Sequence, residues 1–562
     1  MRPTYLLSPL LVAPHALAGV TEVWWNLTPV NNVNPDARFP RLAFGVNGSW
    51  PPPPLDVPQD DTLIVHAKNF LPAPATLHHH GMFFNSTTWQ DGVLGVTECG
   101  IPTNGGETTY QIAINASGQT GTYWVHSHAP GQYTDGLRAP LVIHATKEAY
   151  TYDDEYTVVL GDWYHQLETV LIKQYISPSN PTGIEPVPDS PLIYFAHNGT
   201  NLGPKAGSYP DTGSVVGFNE NATLPFQPGK TYRLRVINTS AFAKFIFYID
   251  GHDMRVIEVD GTDIEEFPIG PLSVSVAQRY SVLVTARDNA DANFAVHADM
   301  DPSMFDILPA TTILNATASI TYNPDLPVTD LGTVDAFPDV PDINMVPLNV
   351  VPAPSPDRVI TLLGNFSLMT DGTNRALFNN ITYNIPLVPT VLSEMTLGSN
   401  ATVAGAYGPT SFVLNHLDVI DLLVQNADTG AHPFHIHGHK FQIIQRSSNF
   451  SSSDPSVITN ANLNNPLTRD TILIDAGASA RLRFVADNPG TWFFHCHIEW
   501  HLQAGFAVQF VEAPLIAQRF VNNIPAQIDA NCKALNEPIS GNAAGHASTT
   551  DLSGLPLGPY PV

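Results

Sequence analysis

One thiol between two imidazoles distinguishes a short stretch of this chain, His495-Cys496-His497-Ile498-Glu499-Trp500-His501. The apolar residues before it are typical of a β-strand, and side chains on a strand point alternately to opposite faces. We therefore expect His495 and His497 to point one way and Cys496 the other. If all three side chains bind metal, this segment joins two separate metal sites through a few covalent bonds.

Three further His-x-His pairs occur, at His78/His80, His126/His128 and His435/His437. Residues two apart on a strand share a face, so the four pairs supply eight imidazoles that can point into one space. Imidazole suits copper, zinc, iron and nickel, whereas two histidines and a cysteine with a weak axial neighbour form the blue-copper arrangement. Cys496, His501 and a distant histidine complete such a set, and His432 is the natural candidate.

Four motifs in this order make the chain similar to the multicopper oxidases. They are Leu77-His78-His79-His80-Gly81, Trp124-Val125-His126-Ser127-His128, His432-Pro433-Phe434-His435-Ile436-His437-Gly438 and the stretch from His495 to His501. The resemblance covers essentially the whole chain after the N-terminal segment. It implies an all-β protein of three cupredoxin-like β-sandwich (Greek key) domains, and an oxidase that reduces O2 to water.

The composition independently favours an all-β chain of several domains. Short apolar runs such as Asp61-Thr-Leu-Ile-Val-His-Ala, Tyr232-Arg-Leu-Arg-Val-Ile-Asn and Ala480-Arg-Leu-Arg-Phe-Val alternate with 50 Pro and 39 Gly, and 562 residues exceed one core. We expect a signal peptide at 1–18, cupredoxin-like domains at 19–148, 149–330 and 331–532, and a flexible tail at 533–562.

Several features indicate a secreted, extracellular glycoprotein. Arg2, an apolar run and Ala16-Leu17-Ala18 resemble a secretory signal with cleavage after Ala18, and Asn26, Asn85, Asn198 and Asn400 begin glycosylation sequons. No later stretch is apolar enough for a membrane span. The net charge of −27 argues against nucleic acid and anionic membranes as partners.

The chain has three cysteines, and Cys496 is assigned to metal. In an oxidising compartment we expect Cys99 and Cys532 to form a disulfide; two unpaired thiols are the alternative.

The resemblance implies four copper ions and assigns their ligands residue by residue. His432, Cys496 and His501 match the ligands of the mononuclear (type 1) copper, and the axial position falls on Phe506, which cannot coordinate. A missing axial ligand favours Cu(I) and raises the reduction potential. His78 and His435 match the type 2 copper. The coupled type 3 pair matches His80, His126, His128, His437, His495 and His497.

Two carboxylates, Asp91 and Glu499, match family residues that deliver protons near the copper cluster. A hydrogen bond to a ligand imidazole is the alternative role for each, and Asp91 could also be a turn residue before Gly92. His79 points to the opposite strand face, and His439 matches no family role. Both are therefore interpreted as structural.

The electron donor is the open question, and three segments favour Fe(II). Those around Glu185, Asp306 and Asp428 resemble the iron-site loops of fungal ferroxidases, and Asp428 stands four residues before His432. Taken singly, the acids could be a solvated loop charge, a cap and a turn former. Arg375 departs from the tyrosine expected there and could weaken Fe(II) affinity.

Two alternatives to the ferroxidase remain. A laccase would oxidise phenols and aromatic amines, and a copper-storage protein would bind copper without turnover. Storage does not need the bridge between two sites that residues 495–497 supply. The partners expected are O2 and Fe(II) or small phenolic donors. An iron permease is possible, but nothing in the sequence indicates one.

Overall fold

Most apolar runs of the sequence form β-strands in the computed structural model, which describes residues 19–202, 219, 222–334, 336–450, 463–556 and 558. The three runs quoted above lie in the strands Thr62–Asn69, Thr231–Asn238 and Ser479–Val485. The predicted all-β class is confirmed. The predicted signal peptide lies outside the described residues.

The helices of the described residues are short. The α-helices are Ile114–Ser117, Glu168–Tyr175, Thr390–Thr396, Glu499–Gln503, Pro514–Ala517 and Ala526–Ala534. Turns of 3-10 helix lie at Thr88–Gln90, Pro302–Met304, Asp342–Asn344, Gly398–Thr402, Ala404–Tyr407 and Gln518–Asn523. None of the helices in the described ranges is long and apolar enough to cross a membrane.

The first domain is a sandwich of two four-stranded sheets. One contains, in spatial order, Arg41–Val46, Val20–Val33, Thr62–Asn69 and Gly106–Ile112. The other contains Leu55–Pro58, Arg138–His144, Gly121–His126 and His78–His80. In the second sheet His78 pairs directly with His126, so two of the His-x-His motifs lie on neighbouring strands.

The second domain pairs a seven-stranded with a six-stranded sheet. The larger contains Thr200–Asn201, Ser190–His197, Asp154–Trp163, Thr231–Asn238, Arg279–Thr285, Met254–Val259 and Thr262–Ile269. The smaller contains Thr223–Pro225, Asn315–Thr321, Asn293–Met300, Phe245–Ile249 and Leu272–Val274, with Val328–Thr329 beside Asn293–Met300.

The third domain has a six-stranded and a five-stranded sheet. The six strands are Asn374–Phe378, Arg358–Leu368, Val419–Asn426, Ser479–Val485, Phe441–Ser447 and Thr468–Arg469. The five strands are Ser411–Leu414, Ala507–Glu512, Gly490–Cys496, His432–Ile436 and Thr471–Ile474. Cys496 pairs with Phe434, and His495 with His435, so the other two motifs also lie on neighbouring strands.

One long parallel pair recurs in each sandwich. The pairs are Val20–Val33 with Thr62–Asn69, Asp154–Trp163 with Thr231–Asn238, and Arg358–Leu368 with Val419–Asn426. A parallel pair cannot be joined by a hairpin and needs a crossover connection. The repetition of this crossover shows that the three domains share one strand topology.

The C-terminal segment, which the sequence predicts to be flexible, contains buried residues and internal hydrogen bonds. Cys99 and Cys532 form the predicted disulfide, which ties the end of the third domain to the first. Beyond it, Asn542 and Ala543 are buried, and the Asn542 side chain donates to the backbone carbonyls of Ser548 and Asp551. Ala543 also accepts a backbone hydrogen bond from Leu387 and donates one to Ala406, so this segment packs against the third domain.

Candidate metal centres

Three elements of the third domain bring Cys496 and two histidines together. His432 begins the strand His432–Ile436, and Cys496 ends the neighbouring strand of the sheet, Gly490–Cys496. His501 lies in the short helix Glu499–Gln503, which follows that second strand. The Cys496 sulfur lies 3.8 Å from His432 Nδ1 and 3.6 Å from His501 Nδ1, and the two Nδ1 atoms are 3.0 Å apart. All three residues are buried. Burial raises the pKa of the Cys496 thiol, so a thiolate here requires a cation beside it.

Phe506 closes this group on its apolar side. It is fully buried, and its ring centre lies 5.1 Å from that of His432. Phe366 packs against His501 and Phe506 in the same place. A soft two-histidine, one-cysteine set with an aromatic ring in place of an axial ligand fits copper and favours its reduced state.

The eight imidazoles of the His-x-His pairs converge in the space between the first and third domains. In each of the following groups the candidate ligand atoms lie within 4.8 Å of one another: His80/His126/His497, His128/His437/His495 and His78/His80/His435. Four of the eight imidazoles come from the first domain and four from the third. Neither domain alone contains the cluster.

Several of these ring nitrogens are buried and have no hydrogen-bond partner among the described residues. They include Nε2 of His78, His126 and His435, Nδ1 of His80, and both nitrogens of His497. Buried polar atoms nearly always have partners, so nitrogens directed at one another fit bound metal ions. Burial and neighbouring histidines hold the pKa of the imidazoles well below the usual range, which keeps them neutral and able to coordinate. This applies to His80, His126, His128, His437, His495 and His497.

Asp91 lies directly behind two of these rings. Its carboxylate is 2.9 Å from His437 Nδ1, and its backbone carbonyl accepts a hydrogen bond from His78 Nδ1 at 2.8 Å. Both contacts leave Nε2 of the ring facing the cluster. These contacts fit an orienting role, which is one of the roles that the sequence analysis gives for Asp91.

Glu499 lies at the edge of the same cluster, in a buried pocket. One of its oxygens accepts hydrogen bonds from the backbone N–H of Gly131 and from Gln503 Nε2, both at 2.7 Å. Burial raises the pKa of Glu499 to about 7. With His126, His128, His495 and His497 it lines a cavity of about 10 Å³, enough for about one water molecule.

Sequence reasoning missed Asp470 and Arg279. Asp470 contacts two histidines of the cluster, and Arg279 pairs with Asp470. Arg279 forms a two-pronged ion pair with Asp470 at 2.7 and 2.6 Å, and the same carboxylate lies 3.2 Å from His80 Nε2. The backbone carbonyl of Asp470 accepts from His435 Nδ1. Burial opposes ionisation, but Arg279 holds the pKa of Asp470 well below its usual range. No spacing in the sequence identifies this pair, because it joins two domains.

The three predicted iron ligands lie together at the outer side of the Cys496 group. Glu185 lies 3.0 Å from His501 Nε2, and Asp428 lies 3.1 Å from His432 Nε2. Asp306 hydrogen-bonds to Glu185 and is exposed. Burial raises the pKa of Glu185 to about 7. Burial also opposes ionisation of Asp428, but the hydrogen bond from His432 outweighs it and lowers the pKa to about 2.

Three further residues that the sequence analysis named have other contacts. His79 is buried against Tyr110, and His439 pairs with Glu512 at 3.0 Å. Arg375 is buried and donates from Nε to Thr373.

Comparison with known proteins identifies three matching family models along the chain. Each is described as multicopper oxidase, and they match residues 29–148, 154–325 and 380–515. The iron multicopper oxidase fer1 of Mycosarcoma maydis is 47% identical over 97% of this chain and 88% of its own length. The iron transport multicopper oxidase fio1 of Schizosaccharomyces pombe is 38% identical over 95% of this chain and 83% of its own.

Two crystal structures show the same architecture. Fet3p, described as a multicopper oxidase that functions in iron import, superposes with a TM-score of 0.86 at 33% identity, covering 97% of this chain and all of that one. A laccase from Botrytis aclada gives 0.79 at 27% identity, covering 93% of each chain.

Proposed function

The chain belongs to the multicopper oxidase family, and on that basis we propose that it is a ferroxidase. It oxidises four Fe(II) ions to Fe(III) for each O2 that it reduces, and it consumes four protons to form two waters. The observation that carries this proposal is the acid cluster of Glu185, Asp306 and Asp428, attached by hydrogen bonds to both histidines of the Cys496 group.

Bound copper supplies the one-electron redox chemistry, and four ions hold the four electrons that O2 requires. We assign one ion to His432, Cys496 and His501, with Phe506 beside it as a non-ligand, and one to His78 and His435. A coupled pair is assigned to His80, His126, His128, His437, His495 and His497. Cys496 and its two neighbours connect these centres through covalent bonds of one strand end.

The acid cluster favours iron as the donor for two physical reasons. Carboxylate oxygens are hard ligands and stabilise Fe(III) more than Fe(II), which makes loss of an electron easier. Glu185 and Asp428 also bond directly to the outer nitrogens of His501 and His432, so iron held by them is one hydrogen bond from a copper ligand.

Asp91 and Glu499 serve the oxygen-reducing end. Asp91 orients His78 and His437, and Glu499 stands beside the water-sized cavity where a proton donor is needed. The disulfide supports a location in an oxidising compartment outside the cytosol, as expected for a secreted enzyme.

Steady-state kinetics with two donors test the proposal. We expect Glu185→Ala and Asp428→Ala each to lower kcat/KM for Fe(II) about tenfold, a loss of about 1.4 kcal/mol of transition-state stabilisation, while phenol oxidation persists. Glu185→Gln keeps a hydrogen-bond acceptor for His501 but removes the negative charge. It therefore separates the effect of the carboxylate charge from that of the hydrogen bond. Glu266→Ala, which removes an exposed carboxylate from the same domain, is the matched control.

An Fe(II) value unchanged in the Glu185→Ala/Asp428→Ala double variant would contradict the proposal. If phenols are also turned over more efficiently than Fe(II) by the wild type, the enzyme is a laccase instead. Copper content and the absorption of the Cys496–copper bond confirm that each variant retains its metal.

A further inference from the structure

Three buried carboxyl groups surround one turn of the first domain, between the protein surface and the histidine cluster. The turn runs from Gly131 to Asp135, and Asp135, Glu168 and Glu499 are 2%, 2% and 3% exposed. Asp135 is paired with Arg41 at 3.0 Å, and Glu499 is bonded to Gly131 and Gln503. These contacts account for the burial of Asp135 and Glu499, but they do not explain the burial of the Glu168 carboxyl group.

Glu168 opens the helix Glu168–Tyr175, and its side chain is directed inward against Gly131. A Cβ atom added to Gly131 would lie 1.8 Å from Glu168 Cγ and 2.4 Å from its Oε1, so only glycine leaves room for this carboxyl. Glu168 Oε1 is buried and lacks a hydrogen-bond partner within the described part of the chain. Buried polar atoms in folded proteins nearly always have a partner, so a carboxyl oxygen in this state calls for a functional explanation.

The same glycine connects Glu168 to Glu499. Gly131 donates its N–H to Glu499 Oε1 at 2.7 Å, while the Glu168 carboxyl packs against its α-carbon. The two acids therefore flank one residue. Glu499 lines the water-sized cavity beside the histidines, and Glu168 lies next to the exposed Thr169 and Val170.

We propose that Glu168 is the outer proton carrier of this oxidase, passing protons from solvent across the turn at Gly131 toward the cavity where O2 is reduced. In each transfer Glu168 releases one proton inward and takes one from solvent, so it ends unchanged. Four such transfers supply the four protons that two waters require. This inference rests on the proposed oxidase function but not on the identity of the electron donor.

The surroundings of Glu168 favour the protonated form at neutral pH. Burial, together with the nearby charges of Glu499 and Asp135, raises the pKa of Glu168 to about 9, and Lys173 only partly offsets them. A carboxylic acid with such a pKa is a loaded donor at pH 7, as general acid catalysis needs.

Rapid-mixing kinetics with a phenol as donor test the route separately from iron. In Glu168→Gln we expect the phenol to reduce the copper at Cys496 at the wild-type rate without oxygen. The loss of the Cys496–copper absorption measures this rate. Reoxidation of this copper by O2 should slow by about 10²-fold, because a proton donor is lost, and the pH dependence of the reoxidation rate should change. Glu168→Asp, which retains a shorter acid, should recover part of the rate.

Glu394→Gln is the matched control, because Glu394 is equally buried but bonds to Thr491 away from the turn. Reoxidation of Glu168→Gln at the wild-type rate over the whole pH range overturns the proposal. So does equal slowing of the Gln and Asp variants, which indicates packing and not proton transfer. A variant that loses only Fe(II) turnover changes neither the reduction rate nor the reoxidation rate measured with a phenol. That result concerns the ferroxidase proposal only.

Discussion

At the scale of single residues, hydrogen bonds determine which nitrogen of each ring faces a metal. His78 Nδ1 is held by the carbonyl of Asp91, His126 Nδ1 by that of Ser127, and His432 Nε2 by Asp428. The tautomer of a histidine is set by the group that its other nitrogen contacts. The partners behind the rings therefore matter for metal binding nearly as much as the rings.

Asp470→Asn tests this at the residue that sequence reasoning missed. The change removes the charge that Arg279 pairs with and weakens the contact to His80, so we expect the affinity for copper to fall by about 10- to 100-fold. Copper retained after dialysis against a chelator measures it. Asp421→Asn is the control, since Asp421 is also buried and paired with arginines but lies away from the cluster.

At the scale of elements, the strand Gly121–His126 is held in place by the second domain. Glu258 accepts from the Thr122 N–H at 2.7 Å and pairs with Arg233 and Arg235. Thr122 is four residues before His126, on the same strand. A buried carboxylate of one domain thus sets the position of a ligand strand in another.

The pKa of Glu258 gives this contact a predictable pH dependence. Burial opposes its ionisation, but Arg233 and Arg235 outweigh burial and lower the pKa from 4.5 to about 2. Because the folded-state pKa is depressed, Glu258 adds about 3 kcal/mol to the free energy of unfolding at pH 7. That contribution is complete above pH 4.5 and is lost as the pH falls through 2.

The rates of unfolding in denaturant at pH 7 and at pH 2.5 measure the effect. We expect Glu258→Gln to be strongly destabilised at pH 7 and much closer to wild type at the acidic pH. Glu266→Gln removes an exposed acid of the same sheet and should change little at either pH. A Glu258→Gln deficit that does not shrink on acidification would show that the carboxylate charge is not the source of the stability.

At the scale of the whole molecule, the cluster exists only while the first and third domains stay together. Each contributes four of its eight imidazoles, and the Cys99–Cys532 disulfide joins the same two domains across 433 residues of sequence. Closing a long loop restricts the unfolded chain. The disulfide therefore secures the interface that holds the metals.

Removing the disulfide with Cys99→Ala/Cys532→Ala should cost about 2–5 kcal/mol of stability. A protein of this size tends to unfold irreversibly, so the half-life of activity on heating is the appropriate measurement. We expect a shorter half-life with loss of copper, and an unchanged Cys496–copper absorption before heating. Equal half-lives for variant and wild type would mean that packing alone holds the domains together.

The sequence predicts the local features of this protein well, because they depend on neighbouring residues. The strand Thr62–Asn69 follows from alternating apolar residues between turns. The motifs of His435 and His495 lie on strands, as their spacing indicates, and these two strands are neighbours. The burial of Asn542 in the C-terminal segment depends on a surface formed by distant residues, which no local pattern indicates.

By itself the sequence determined the all-β class, the four His-x-His pairs and the position of one cysteine between two imidazoles. These follow from residue type and period-two spacing along a strand. Only the tertiary structure decided that Asp470 pairs with Arg279 beside the cluster, that Glu168 and Glu499 both contact Gly131, and that Asp91 contacts two rings. Such contacts join residues far apart in the chain, and only packing of whole domains brings them within hydrogen-bonding distance.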